Sequence, residues 1–115
     1  TASDAASTNI TGVTFNGLSM LEKAEVTDGT AVDAIYTLSL GTSASSTTGP
    51  IIVTSTNGTH SSKCVTARVF DKVNQATPLG GIVSAMNGTV PSASTLNVTS
   101  ATGDLVFDIF DSWNQ

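Results

Sequence analysis

Residues Cys64 to Gly81, CVTARVFDKVNQATPLGG, constrain the fold more than any other stretch. The first seven alternate, with Val65, Ala67 and Val69 on one side and Cys64, Thr66, Arg68 and Phe70 on the other, which is the period of a β-strand. The strand then breaks into a polar segment, Asp71 to Thr77, closed by Pro78 and the glycine pair Gly80-Gly81. A strand running into a long punctuated corner is what a chain needs in order to cross between the two sheets of a β-sandwich.

The rest of the chain keeps this rhythm. Thr1 to Thr8, TASDAAST, is small, polar and aperiodic, and reads as a flexible N-terminal segment ahead of a single domain over residues 9–115. From Ile10, the residues Ile10, Gly12 and Thr14 alternate with Thr11, Val13 and Phe15 up to Asn16-Gly17, a strong two-residue hairpin signal. Leu18 to Val26 returns as the partner strand, with an irregularity expected at Met20-Leu21. Ala31 to Leu40 places Ala34, Tyr36, Leu38 and Leu40 on one face. Gly41 to Gly49 is a low-complexity loop, Ile51 to Thr56 a β-branched strand, and Asn57-Gly58 another turn. Beyond Pro78 come strands over Ile82–Met86 and Thr95–Ser100, bridged by Val90–Ser94, with turns at Asn87-Gly88 and Ala101–Asp104. A last strand alternates Leu105, Phe107 and Ile109 with Val106, Asp108 and Phe110. About eight short strands at roughly 8–12-residue spacing, with no helical period, predict an all-β antiparallel sandwich of jelly-roll type.

Composition narrows the function classes. Only 11% of residues are charged, the net charge is −5, and Ser and Thr take the place of Lys and Glu. With four Lys and Arg in the chain there is no basic face to neutralise a phosphate backbone, so no nucleic-acid partner is expected. No apolar run reaches the roughly 20 residues of a membrane helix. The sequence opens without an initiator Met or a signal peptide, as a mature or trimmed product would. A surface so rich in hydroxyls is common on secreted and virion-exposed proteins.

The hairpin VTFNGLSMLEK (Val13–Lys23), the aromatic strand Ala34-Ile35-Tyr36-Thr37-Leu38, the segment Ala67–Leu79 and the closing hairpin Leu96–Ile109 occur in an order that resembles a family of jelly-roll-like β-sandwich modules. That family is found in large secreted bacterial proteins, archaeal surface proteins and phage structural proteins. Arg68 and Lys72 intrude on its pattern. Its members carry a hydrophobic strand before the first hairpin and further strands after the last, where this sequence has TASDAAST and Asp111-Ser112-Trp113-Asn114-Gln115. The resemblance therefore implies a structural or binding role without enzyme activity, and a sandwich with an open edge for a neighbouring chain to complete.

Chemistry-bearing residues are few. His60 is the sole histidine, set among Thr59, Ser61 and Ser62; it reads as an exposed loop side chain rather than the base of a Ser-His-Asp arrangement. No nucleophile elbow, phosphate loop or metal-spaced Cys/His pair occurs. Cys64, the one cysteine, is expected as a buried, inert thiol rather than a nucleophile. Asp104, Asp108 and Asp111 near the last strand, and Asp28 and Asp33 about a turn, match no EF-hand spacing; turn-forming and solvent-facing roles are expected of them rather than Ca²⁺ binding. No cofactor or metal is expected. Asn9, Asn57, Asn87 and Asn97 each open an Asn-X-Thr sequon, candidate glycosylation sites whose use depends on the source. Trp113 is the one candidate platform for stacking a sugar; Phe15, Tyr36, Phe70, Phe107 and Phe110 read as core.

The expected function is a non-enzymatic assembly module on a virion (a decoration or tail-appendage protein) or in a cell-surface filament, built by sheet contacts between subunits. A carbohydrate-binding adhesion module is the alternative.

Overall fold

The computed structural model describes residues 2–5, 10–27, 31–41, 47–56, 63–74, 76–85 and 95–109. Every regular element among them is a strand: β1 (Ala2–Ala5), β2 (Ile10–Phe15), β3 (Leu18–Ser19), β4 (Leu21–Thr27), β5 (Ala31–Thr37), β6 (Ile51–Ser55) and β7 (Lys63–Val65). They form a four-stranded sheet in the order β4-β5-β1-β7 and a three-stranded sheet in the order β3-β2-β6. All pairings are antiparallel, consistent with a β-sandwich.

The first hairpin forms where the Asn-Gly pair places it. Asn16 and Gly17 take φ of 49° and 80°, the doubly positive geometry of a turn that follows strand twist, and Phe15 pairs with Leu18. The returning strand does not stay with its partner. After Met20 donates its N–H to the Val13 carbonyl at 2.8 Å, the chain leaves the three-stranded sheet and enters the other as β4. The irregularity expected at Met20-Leu21 is thus a sheet-to-sheet crossing.

A bulge decides which side chains reach the core. Ile10 pairs with Ser55 and Gly12 with Thr54, so Thr11 is the extra residue, and its Oγ1 donates to the Thr54 carbonyl at 3.1 Å. The extra residue shifts the alternation by one, so Ile10 and Val13 both point inward although strict alternation separates them. They meet Val32 and Ala34 of β5, and Met20, Tyr36, Ile51 and Val53 pack around these four. Burying an Ile or Val stabilises by about 1.5–3 kcal/mol. These four are the buried hydrophobic side chains among the described residues.

Several expectations are corrected. Ala2–Ala5, read from sequence as part of a flexible segment, is an interior strand between β5 and β7, with Ala2 opposite both Ala34 and Val65. Its ladders are built from backbone groups, which need no apolar alternation. The strand expected over Cys64–Phe70 stops at Val65, because its ladder with β1 ends at the Ala2 pair. Among the described residues from 66 to 109 there is no strand, so the described parts of the elements expected at Ile82–Met86, Thr95–Ser100 and Leu105–Phe110 (residues 82–85, 95–100 and 105–109) are not strands, and the described residues hold seven strands where about eight were expected of the whole chain. Phe70 and Phe107 are exposed rather than core. Cys64 is exposed rather than buried, because β7 is an edge strand.

The segment expected as a corner between sheets turns locally, but no strand enters or leaves it among the described residues, so the expected crossing is replaced by local turns. The Asn74 Oδ1 accepts the N–H groups of Ala76 and Thr77 at 2.9 and 3.4 Å. Farther on, Asp104 Oδ2 accepts the Ala101 N–H at 2.7 Å while the Asp104 N–H donates to the Ala101 carbonyl at 3.1 Å. Gly103 between them has a φ of 96°.

Candidate functional site

The crossing at Met20 and the bulge at Thr11 leave an open cleft of about 460 Å³ where the two sheets meet. Val13 and Met20 contribute its apolar part; Thr11, Thr14, Ser19, Thr54, Glu22 and Tyr36 supply polar groups. Glu22 and Tyr36 are direct cross-strand partners on β4 and β5. The Tyr36 hydroxyl donates to Glu22 Oε2 at 2.8 Å and lies 3.4 Å from the Ile10 carbonyl in the other sheet. A phenol has one proton, so the short charge-assisted bond to the carboxylate takes it and the carbonyl is a longer secondary contact.

Desolvation, reinforced by the hydrogen bond to Glu22 and by the charges of Glu22 and Glu25, pushes the Tyr36 pKa well above its ordinary value. The cleft thus presents a neutral phenol tied to a carboxylate among hydroxyls. That set can exchange hydrogen bonds with a small polar group.

A second feature covers a larger area. From Thr66 onward the described residues are almost all exposed, apolar ones included: Val69 is 91% exposed and Leu105 is 71% exposed, with Leu79, Ile82, Val83, Leu96, Val98 and Val106 also open to solvent. The Phe70 and Phe107 rings meet edge-to-face with centroids 6.2 Å apart and planes at 71°.

Of the residues singled out from sequence, Asn97 is described: it is exposed, outside any strand. Asn9, Asn57, Asn87, His60, Asp28, Asp111, Phe110 and Trp113 lie outside the described residues, as do the turns at Asn57-Gly58 and Asn87-Gly88 and the bridge Val90–Ser94. Asp104 forms the turn just described, and Asp108 is exposed. Among the described residues no three His, Cys, Asp or Glu side chains gather to hold a metal ion, and no helix is long and apolar enough to cross a membrane. The Glu22–Tyr36 pair escaped sequence reading because its register depends on a bulge at Lys23.

No protein-family model matches the chain, and comparison with curated proteins and with solved structures found no significant match. The family resemblance rests on the quoted motifs.

Proposed function

We propose that the protein is a structural assembly module: a jelly-roll-type sandwich that completes itself through sheet contacts with other subunits, without catalysis. The observation that carries this reading is the run of exposed apolar side chains among the described residues beyond Val65, Val69 and Leu105 foremost. Apolar surface on that scale is stable in water when another chain covers it. Low charge and a hydroxyl-rich composition suit a subunit held on a virion surface, as a decoration or tail-appendage protein, or in a cell-surface filament.

Molar mass by light scattering across a dilution series tests the reading. A stable oligomer or polymer is expected. A monomer of 11.6 kDa at every concentration overturns self-assembly. That result would turn attention to sugar binding, tested on a glycan array with Trp113→Ala as the control.

A further inference from the structure

Three cross-strand pairings converge on the cleft where the sheets meet. Thr14 and Ser19 are direct partners on β2 and β3, Gly12 pairs with Thr54 of β6, and Glu22 pairs with Tyr36 across β4 and β5. Strand ladders rather than loops therefore set the spacing of its polar groups, which is what a preorganised site needs. The bulged Thr11 is fixed too, its Oγ1 donating to the Thr54 carbonyl at 3.1 Å. An added Cβ at Gly12 would meet nothing within 4 Å, so a ligand can come close to the strand backbone there.

The lining selects its ligand by chemistry. Among the described residues that line the cleft, Glu22 is the one ionised side chain and none is cationic. An anion meets repulsion from Glu22 and from the net charge of −5. A small ammonium would find a single exposed carboxylate, whose pull water and salt screen. The other side-chain polar groups are hydroxyls, each able to donate and to accept, and a carboxylate accepts more than the one bond that Tyr36 gives Glu22. They match a neutral ligand whose own groups both donate and accept, with donors left over for the carboxylate. Val13 and Met20 add an apolar side, and the unbranched Met20 can adapt its shape to what it covers. Hydroxyls along one edge and C–H groups across a face are the chemistry of a sugar ring. The volume of about 460 Å³ falls within the ~300–1,000 Å³ of small-molecule sites and admits a mono- or disaccharide.

We propose that this cleft binds a neutral mono- or disaccharide, with Glu22 accepting from adjacent sugar hydroxyls, Thr14 and Ser19 exchanging hydrogen bonds with the next ones, and Met20 covering a C–H face. The site does not call on Trp113, the platform expected from sequence. It is built from residues of one chain, so it stands whether or not copies assemble.

The test titrates the ¹⁵N-labelled full chain with glucose, galactose, mannose, N-acetylglucosamine and lactose, each to about 50 mM, far above the ~1 mM Kd of a weak site. At least one sugar is expected to give saturating amide shifts centred on Gly12, Thr14, Ser19, Glu22 and Thr54. Glu22→Gln is expected to weaken that sugar's affinity by about tenfold, since a charged acceptor becomes a neutral one. Ser19→Ala, at an exposed position where folding is not at stake, is expected to weaken it by about threefold or more. The proposal is overturned by no saturation with any of these sugars, or by saturation centred on other residues. It is equally overturned if affinity is unchanged in Ser19→Ala and in folded Glu22→Gln. Tetramethylammonium saturating the same amides where the sugars do not would make the cleft a cation site and overturn it too.

Discussion

Tyr36 and Glu22 stand opposite each other across the β4–β5 ladder, the phenol oxygen 2.8 Å from the carboxylate, and the same hydroxyl reaches toward the Ile10 carbonyl of the other sheet. The pair fastens β4 to β5 just past the point where the chain changes sheets. It also keeps a phenol neutral beside a negative charge.

A titration reads this directly, because the chain has one tyrosine. The tyrosinate absorbance should appear with a midpoint well above the ordinary 10.0, and Glu22→Gln should bring it down. The sign follows from linkage. The folded value lies above the unfolded one, so the stabilisation is complete below pH 10 and fades only as pH climbs toward the raised folded value. A midpoint near 10 in the native protein would show that the pair does not form.

Among the described residues Val32 is the most enclosed side chain, 1% exposed, packed in a cluster with Ile10, Val13 and Ala34. Val32→Ala should cost about 2 kcal/mol in urea unfolding, because the lost methyl groups leave a cavity that the surrounding structure closes only in part. Ala34→Leu should cost about 1–3 kcal/mol by overpacking the same space. Losses below about 0.5 kcal/mol for both would place the core elsewhere.

The local elements were legible because local chemistry sets them. Asn16-Gly17 specified its turn, Met20-Leu21 marked a break, and the period through Ala34 and Tyr36 marked the inner face of β5. Two bulges hid the rest. Counting back from Thr27 opposite Val32 sets Glu22 against Thr37, but the extra residue Lys23 moves it to Tyr36; Thr11 likewise brings Val13 inward. Ala2–Ala5 was invisible for a different reason, since its two ladders use backbone groups that any residue supplies. Thr66–Phe70, Thr95–Ser100 and the described part of Leu105–Phe110 alternate in sequence, yet alternation alone does not supply a neighbouring strand to pair with.

Gly49 touches the first turn. A Cβ built there would lie 2.6 Å from the Asn16 Cβ, next to the bond from the Asn16 N–H to the Pro50 carbonyl at 2.9 Å. Gly49→Ala should therefore destabilise by about 1–3 kcal/mol, since the turn or the Gly49-Pro50 corner must move. Gly12→Ala is the contrast: nothing lies within 4 Å of its added Cβ, and the smaller chain entropy of the unfolded state should leave it neutral or more stable by about 0.5 kcal/mol. Equal effects in thermal unfolding would contradict the close approach of the two segments.

Cys64 gives a chemical reading of the β7 edge. It sits opposite Ser3 in a three-residue strand with β1 on one side, and its thiol faces solvent. A strand that continued to Phe70 inside a sheet would shield that thiol; one that ends at Val65 leaves it open. Maleimide added to the native protein should label one site per chain at the rate of a small free thiol, with no gain on adding urea. Cys64→Ser should change stability by less than about 0.5 kcal/mol, as exposed substitutions do. Labelling that needs denaturant would mean that β7 lies inside a sheet, with a neighbouring strand on the side where the four-stranded sheet now ends.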